Sequence, residues 1–366
     1  METRFAPAHL HGTVAAPPSK SEAHRRLVCA GLTAGETTLT GYMDSEDMQA
    51  TLRCIEALGA DWEQEGDRIT IRGRSHPVHA APLLDCGESG STLRFFVPIA
   101  LSLSGGGVFR MHGRLGKRPM DVYRDLFVPS GVTWRMGVGA DGAAELTVLG
   151  HMEAGAYALP GNVSSQFVSG LLFALPLLAG DSTLTVTGAV ESVGYIRMTV
   201  EALRRSGIKI EEITPFSWRI PGDQIYRAES GTLTGDYSQA AVLLCGGALG
   251  HNLRVTGLRA ETTQGDRAVL AHLRALGAVV TETPEGIQAV PGEMRGTVLD
   301  MHDCPDIAPI LALVCQLTPG ESRLTHCGRL RLKESNRLAE TVTLLNAGGG
   351  RARVEGDDLC ITGVPQ

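Results

Sequence analysis

The chain has 366 residues, of which 43% are hydrophobic and 20% are charged, and its net charge at pH 7 is −7. This length predicts two domains rather than one core, and the composition excludes a disordered or fibrous protein. The negative charge argues against a nucleic-acid-binding surface. No signal-peptide pattern opens the chain, and no apolar run reaches the roughly 18 residues of a membrane span, so we expect a cytoplasmic protein without a membrane partner.

Eight cysteines are spread along the chain without the C-x-x-C spacing of many metal and redox sites. Most lie inside apolar runs, which is typical of buried thiols that stay reduced. We therefore expect free thiols and no metal at Cys29, Cys54, Cys86, Cys245, Cys304, Cys315, Cys327 and Cys360.

One sequence unit recurs along the chain at intervals of roughly 70 residues. Its first half is a polar residue of the type that caps a helix N-terminus, followed by an apolar helix. The five copies of this helix span residues 19–30, 89–101, 164–178, 236–249 and 306–317. Because these helices are apolar on nearly every face, we expect neighbouring units to bury them.

The second half of each unit indicates a strand, a turn and an amphipathic helix that ends at a glycine. The predicted helix-ending glycines are Gly59, Gly131, Gly207, Gly277 and Gly348. Each unit therefore follows the order strand, helix, strand, helix, strand, which predicts an α/β fold. Five copies leave one of two pseudo-symmetric domains a repeat short, so we expect that domain to be incomplete and to expose an apolar patch on the fourth and fifth helices.

The first three apolar helices begin with groups suited to an anion, because helix N-termini favour negative charge. The residues concerned are Lys20, Ser21 and Arg25 in the first helix, Gly90, Ser91 and Arg94 in the second, and Ser164, Ser165 and Gln166 in the third. Arg94 and Arg25 carry forked guanidinium groups that match carboxylate or phosphate. Each segment alone is equally compatible with ordinary capping or with a solvated basic turn.

Two later segments also concentrate charge. Lys117 and Arg118 precede a proline that marks a helix start. Residues 331–337 contain three cations and one carboxylate, and Asp306 precedes the fifth apolar helix. Lys117 and Arg118 could instead belong to a solvated turn, and residues 331–337 to a charged helix start. Asp306 could instead be a helix cap.

These segments, in this order and in register with the repeat, resemble the enolpyruvyl transferase family of 5-enolpyruvylshikimate-3-phosphate synthases up to about Gly363. The resemblance implies a two-domain, inside-out α/β barrel built from βαβαββ-like units, with five of an expected six present. Residues 18–231 would form a central three-repeat domain that binds shikimate 3-phosphate. Residues 1–17 and 232–366 would form a discontinuous, incomplete domain that carries the catalytic Asp, Lys, Glu and Arg.

The resemblance also implies the reaction and its participants. The enzyme would transfer the enolpyruvyl group of phosphoenolpyruvate to the 5-hydroxyl of shikimate 3-phosphate and release phosphate, without a cofactor or metal and as a monomer. Catalytic residues would be Asp306, Glu334 and Lys20. Contacts to shikimate 3-phosphate would come from Lys20, Ser21, Arg25, Ser164, Ser165, Gln166, Ser192, Tyr195, Asp306 and Lys333. Contacts to phosphoenolpyruvate, and to the inhibitor glyphosate in its place, would come from Lys20, Gly90, Arg118, Gln166 and Arg337.

The sequence departs from the family pattern at three places. Glu88 stands where many members have Asn, and Asn336 where many have Asp. Family members continue past the last repeat with an Asp-His-Arg-Met segment and a later Lys, and neither occurs between Gly350 and Gln366. We therefore expect the 366-residue chain to be a poor catalyst whose full version is an ordinary enzyme.

Two alternatives remain open at this point. The first is a truncated protein that binds shikimate 3-phosphate without turnover. The second is UDP-N-acetylglucosamine enolpyruvyl transferase, a relative with the same architecture. That relative uses a cysteine five residues before the arginine corresponding to Arg118, where this chain has Gly113, and it has Lys-Asn in place of Lys20-Ser21.

Overall fold

The computed structural model describes residues 6, 8–74, 79–190, 192–333 and 335–363. The chain divides into two compact units. The central unit is Pro18–Leu233, and the discontinuous unit combines Met1–Pro17 with Thr234–Gln366. The boundary set from the sequence at residue 231 falls two residues before this division.

The chain begins with a strand of the discontinuous unit and then builds the first repeat of the central unit. The elements are β1 (His11–Ala15), α1 (Lys20–Gly31), β2 (Gly35–Thr40), α2 (Glu46–Ala57), β3 (Asp61–Glu65) and β4 (Arg68–Gly73). The second repeat contains β5 (Leu83–Asp85), α3 (Gly90–Leu103), β6 (Gly106–Met111), α4 (Asp121–Phe127), β7 (Thr133–Val138) and β8 (Ala144–Leu149).

The third repeat completes the central unit. It contains β9 (Ala156–Pro160), α5 (Ser165–Ala174), β10 (Ser182–Thr187), α6 (Val193–Arg205), β11 (Glu211–Thr214) and β12 (Ser217–Ile220), and β13 (Gly231–Thr232) follows it.

The discontinuous unit contains the remaining two repeats. The fourth consists of α7 (Tyr237–Ala248), β14 (Asn252–Thr256), α8 (Val269–Ala275), β15 (Val279–Thr283) and β16 (Gly286–Val290). The fifth consists of β17 (Val298–Asp300), α9 (Ala308–Gln316), β18 (Glu321–Thr325), α10 (Arg337–Ala347), β19 (Arg351–Glu355) and β20 (Asp358–Thr362).

All five sheets among the described residues have four strands and the same topology. The first strand of each repeat pairs in parallel with the second, and the last strand lies antiparallel between the second and the third. A parallel pair joined through a helix is the βαβ arrangement that the repeat predicts. Each repeat is therefore a βαβαββ unit.

Two repeats obtain their first strand from elsewhere in the chain. β13 precedes α7 in sequence but pairs with β2 of the central unit, and β1 precedes α1 but pairs with β14 of the discontinuous unit. The chain therefore passes from one unit to the other directly after each of these strands. This exchange explains why one unit is continuous and the other is not.

Four of the five predicted helix caps are confirmed, and the fifth is wrong. The side chains of Ser19, Ser89, Ser164 and Asp236 each accept a hydrogen bond from a backbone N–H of their own helix. α9 instead begins at Ala308, after a 3₁₀ turn at Pro305–Ile307, and neither segment has a side-chain cap. Asp306 is not a cap because its carboxylate accepts hydrogen bonds from distant cations.

The helices end at the predicted glycines in all five repeats, and four of these glycines have a left-handed backbone. Gly59, Gly131, Gly207 and Gly277 have positive φ angles of 102°, 87°, 78° and 99°. In the last repeat Gly348 has an ordinary φ of −78°, and Gly349 has the positive φ of 83°. In this repeat the left-handed residue therefore lies one position after the glycine that ends the helix.

Each unit has its own hydrophobic core. All eight cysteines belong to the described chain, and each is a buried free thiol. On α7 and α9 most apolar side chains are buried, whereas Val242 and Leu313 stay 52% and 38% exposed. Within the described ranges, the helices are too short or too polar to cross a bilayer.

Candidate active site

Lys20 lies at the first position of α1 and pairs with a carboxylate that the sequence did not single out. Its Nζ donates to Asp47 Oδ2 at 2.8 Å, and the lysine side chain is 58% exposed. Burial alone would raise the pKa of Asp47, but the Lys20 ammonium and the Ser89 hydroxyl hold it below its usual value. Asp47 thus orients a candidate catalytic lysine while leaving it accessible.

Arg25 is buried one turn further along α1. Its Nε donates to Thr199 Oγ1 at 2.8 Å, and its Nη atoms donate to the carbonyls of Ser21 at 2.8 Å and Tyr195 at 3.0 Å. Burial lowers the pKa of Arg25 to about 10, so it stays charged at neutral pH. The guanidinium therefore joins α1 to α6, and the backbone carbonyls of Ser21 and Tyr195 both accept hydrogen bonds from it.

The N-terminus of α3 lies against a second guanidinium. Gly90 is buried, and a Cβ atom built there would overlap the Nη1 of Arg118. Only a residue without a side chain lets Arg118 approach this helix start so closely. A helix N-terminus beside a guanidinium combines two features that favour an anion.

Gln166 links the starts of α3 and α5. Its Oε1 accepts from Arg94 Nη1 at 2.5 Å, and its Nε2 donates to Ser91 Oγ at 2.8 Å. Ser164 caps α5, and Ser165 is buried beside it. The predicted hydroxyls, amide and cation therefore lie close together within the central unit.

One buried tyrosine holds this pair of helices in register. The Tyr123 hydroxyl lies 2.9 Å from the Arg94 carbonyl and 2.8 Å from the Phe167 carbonyl, one on each helix. Gly170 permits the close crossing, because a Cβ there would overlap both the Arg94 carbonyl and the Tyr123 hydroxyl. The close crossing at Gly170 and the Tyr123 hydroxyl therefore place the polar ends of α3 and α5 relative to each other.

Ser192 precedes α6 in an unusual backbone conformation. It has a φ of 54° and is only 2% exposed. A non-glycine residue in the left-handed region costs of order 1–3 kcal/mol, and such strain is concentrated at functional sites. Ser192 and Tyr195 thus both lie at the start of the helix that Arg25 holds.

In the discontinuous unit two cations converge on one carboxylate oxygen. Asp306 Oδ1 accepts from Lys333 Nζ at 3.0 Å and from Arg337 Nη1 at 3.0 Å. The three side chains are 21%, 22% and 35% exposed. Three of the residues predicted for this unit are therefore in direct contact. The fourth, Glu334, lies outside the described residues.

A second carboxyl close to Asp306 was missed by the sequence analysis. Ser238 donates a short hydrogen bond to Asp266 Oδ2. Burial and the nearby charge of Asp306 raise the pKa of Asp266 to about 7. Asp266 lies in a 3₁₀ turn, Gly265–Ala268, where no periodic pattern marks it.

Gly113 stands at the position where the second alternative, UDP-N-acetylglucosamine enolpyruvyl transferase, has its cysteine. Its φ is 53°, and a Cβ built on it would overlap the Glu88 carboxylate. A cysteine could not occupy this position without moving Glu88. Gly113 therefore lies next to Glu88, one of the residues at which this chain departs from the family pattern.

The chain matches the model of a family described as EPSP synthase (3-phosphoshikimate 1-carboxyvinyltransferase) over residues 5–366. It is 38% identical to a 3-phosphoshikimate 1-carboxyvinyltransferase of Clostridium beijerinckii, covering 99% of this chain and 85% of the relative. It is 35% identical to the protein of that name in Clostridioides difficile, over 99% of this chain and 84% of the relative.

Solved structures show the same fold at lower sequence identity. An EPSP synthase from Acinetobacter baumannii superimposes with a TM-score of 0.78 at 23% identity, covering 98% of this chain and 83% of the other. The enolpyruvyl transferase NikO from Streptomyces tendae gives a TM-score of 0.72 at 20% identity, over 97% and 82% of the two chains.

Proposed function

The chain belongs to the EPSP synthase (3-phosphoshikimate 1-carboxyvinyltransferase) family, and we propose that two groups of its polar residues share the work of that reaction. The chain is a transferase of the shikimate pathway, which leads to aromatic amino acids. It moves the enolpyruvyl group of phosphoenolpyruvate to the 5-hydroxyl of shikimate 3-phosphate and releases phosphate.

The observation that carries the proposed roles is the contact of Asp306 with Lys333 and Arg337. Opposite charges next to a carboxyl favour its ionised form, and a general base must be ionised to accept a proton. Asp306 takes the proton of the attacking 5-hydroxyl. Lys333 contacts shikimate 3-phosphate, and Arg337 contacts phosphoenolpyruvate.

The central unit supplies most of the contacts to shikimate 3-phosphate. They come from Lys20, Ser21, Arg25, Ser164, Ser165, Gln166, Ser192 and Tyr195. Support for this group comes from Gln166, which shares its amide between Arg94 and Ser91, and from Arg25, which joins the starts of α1 and α6. Hydroxyls, amides and guanidinium groups in fixed positions suit a phosphorylated, hydroxylated ring.

Phosphoenolpyruvate is held by the second group of contacts. Lys20, Gly90, Arg118, Gln166 and Arg337 form it. The close approach of Arg118 to the N-terminus of α3 supports this role, because both groups attract a phosphate or carboxylate.

The reaction proceeds by addition and elimination. A proton is added to the methylene carbon of phosphoenolpyruvate, and the 5-hydroxyl oxygen attacks C2. The tetrahedral intermediate then loses inorganic phosphate from C2 and a proton from the methyl group. This restores the methylene group and gives the enol ether product. Lys20 and Glu334 are the candidates for the methylene proton. The cations stabilise the phosphates and carboxylates throughout, and the enzyme acts as a cytoplasmic monomer without a nucleic-acid or membrane partner.

A phosphate-release assay tests this function. We expect the chain to release phosphate when both phosphoenolpyruvate and shikimate 3-phosphate are present, and not when either is omitted. UDP-N-acetylglucosamine should not replace shikimate 3-phosphate as the acceptor. Release with that acceptor alone, or no release in a folded sample, would contradict the proposed function.

Calorimetric titration tests the role of the central unit. Gln166→Ala should weaken shikimate 3-phosphate binding by about tenfold, because one or two hydrogen bonds of roughly 1 kcal/mol each are lost. Gln64→Ala is the matched control, since the Gln64 side chain donates to the nearby Gly66 carbonyl on an exposed hairpin. Equal affinities in the two variants would remove Gln166 from the site.

A further inference from the structure

A base that contacts two cations is a weak base. Lys333 and Arg337 both donate to Asp306 Oδ1, and opposite charges next to a carboxyl favour its ionised form. That ionised form must nevertheless accept a proton from the 5-hydroxyl. A negative charge next to Asp306, in addition to the charges of the bound substrates, would strengthen this base.

Asp266 lies where it can supply that charge. It is 5% exposed, and its 3₁₀ turn packs against the segment that leads into Asp306. Gly265 makes this close packing possible, because a Cβ built there would lie 2.6 Å from the backbone oxygen of Asp303. The turn that carries Asp266 therefore packs closely against the segment that leads to Asp306.

The groups that face Asp266 come from each element packed around it. Burial, Asp306 and Asp236 raise its pKa, whereas the Ser238 hydroxyl and Lys333 lower it, and the result is about 7. The buried thiol of Cys304 also faces Asp266, and burial together with that carboxylate raises the pKa of the thiol. Arg267 on the same turn pairs with Glu282 at 2.7 Å.

We propose that Asp266 is a positioning residue for the reaction: its anionic form offsets Lys333 and Arg337 and restores the proton affinity of Asp306. The interaction is mutual. The repulsion between the two carboxylates favours the protonated form of Asp266 and, by the same energy, the protonated form of Asp306. The inference rests on the proposed role of Asp306 as the base.

The proposal predicts a specific pH dependence. Below about pH 7 Asp266 is neutral and Asp306 is a weak base, so turnover is slow. Above that pH Asp266 is anionic and kcat rises. KM values for the two substrates should change less than kcat, since the effect acts on proton transfer.

The test compares the pH profile of kcat in the wild type with three variants. Asp266→Asn keeps the shape of the side chain and an oxygen that accepts from Ser238. It should lower kcat about tenfold at pH 8 but less than twofold at pH 5.5, because only the anionic form of Asp266 offsets the two cations. Ser238→Ala removes a hydrogen bond that favours the anion and should move the rise in kcat to higher pH. Glu321→Gln removes an exposed charge from the same unit and should leave the profile unchanged.

A second measurement is independent of turnover. In protein labelled with carbon-13 at aspartate side chains, one carboxyl resonance should titrate near pH 7 and be absent from Asp266→Asn. In Asp306→Asn its midpoint should fall, because one charge that opposes ionisation is gone. An unchanged midpoint would overturn the coupling of the two carboxyls.

The outcomes separate the two proposals. A kcat that falls by the same factor at every pH in Asp266→Asn would make Asp266 a purely structural residue and overturn the inference alone. Should Asp266→Asn fail to fold, the pH profile of Ser238→Ala takes its place. A rise in kcat that is not shifted to higher pH in Ser238→Ala would also overturn the inference alone. Absence of turnover in the folded wild type would overturn the proposed function, and this inference with it.

Discussion

Replacing Asp306 by asparagine should lower kcat by a factor on the order of 10³ and leave the affinity for shikimate 3-phosphate almost unchanged. A positioned general base contributes roughly 10²–10⁴ in rate, and asparagine cannot accept the hydroxyl proton. Its amide oxygen can still accept a hydrogen bond from Lys333 or Arg337. The substitution also leaves those two cations without their carboxylate, so binding of anionic substrates should not weaken.

Phosphate release at saturating substrates and calorimetric titration measure the two quantities separately. Asp358→Asn is the matched control, since Asp358 is also an aspartate of the discontinuous unit that pairs with a cation, Arg323, at 2.7 Å. We expect its kcat to stay within about twofold of the wild type, as for a surface ion pair. Near-normal turnover in Asp306→Asn would reduce Asp306 to a structural ion-pair partner.

The absence of a capping role makes this experiment easier to interpret. At Ser19 or Asp236, a substitution would remove a hydrogen bond to the helix N-terminus and would be expected to cost about 1 kcal/mol of stability. α9 has no side-chain cap to lose. A change in kcat of Asp306→Asn therefore reports on the carboxylate itself rather than on an unravelled helix.

The features that the sequence predicted well are local. Helix caps such as Ser89 and Ser164 act within their own first turn, and the glycines after α2 and α6 act within the last turn. Such signals lie within a few residues of their effect. Repetition of the same signals along the chain then makes the βαβαββ unit recognisable.

The features that the sequence missed depend on contacts between distant residues. Asp47 meets Lys20 from 27 residues away, and Asp266 meets Ser238 from 28 residues away. Neither carboxylate breaks a periodic pattern, so each looks like an ordinary polar residue at the start of a helix or turn. β13 has only two residues, too few for the alternation that marks a strand, and its exchange with β1 could not be predicted.

The second large effect is expected at the phosphoenolpyruvate site. Gly90→Ala should raise KM for phosphoenolpyruvate by about 10- to 100-fold and leave KM for shikimate 3-phosphate nearly unchanged. A methyl group on Gly90 would occupy the position of the Arg118 guanidinium, which must then move. A charge-assisted hydrogen bond is worth roughly 1.5–3 kcal/mol, which corresponds to the predicted loss of affinity.

The free energy of unfolding should change little. Gly90 is the first residue of α3 rather than an interior one, and the three atoms nearest to a Cβ built there all belong to the Arg118 guanidinium, the end of a flexible side chain. A loss of affinity without a loss of stability would therefore identify a local effect on Arg118. Gly246→Ala in α7 is the matched control, because its Cβ would meet only side-chain atoms at 3.4 and 3.7 Å, an ordinary contact distance.

The same variant should distinguish the inhibitor glyphosate from the shorter substrate phosphoenolpyruvate. The family resemblance places glyphosate in the phosphoenolpyruvate site, and glyphosate is the longer of the two molecules. We expect the wild type to be sensitive and Gly90→Ala to be resistant, with an inhibition constant that rises more than KM for phosphoenolpyruvate does, since the methyl group intrudes further on the longer molecule. Competitive inhibition measured at several phosphoenolpyruvate concentrations gives both constants. If glyphosate inhibits both proteins equally, the space beside Gly90 and Arg118 does not hold the inhibitor, and neither residue belongs to the phosphoenolpyruvate site.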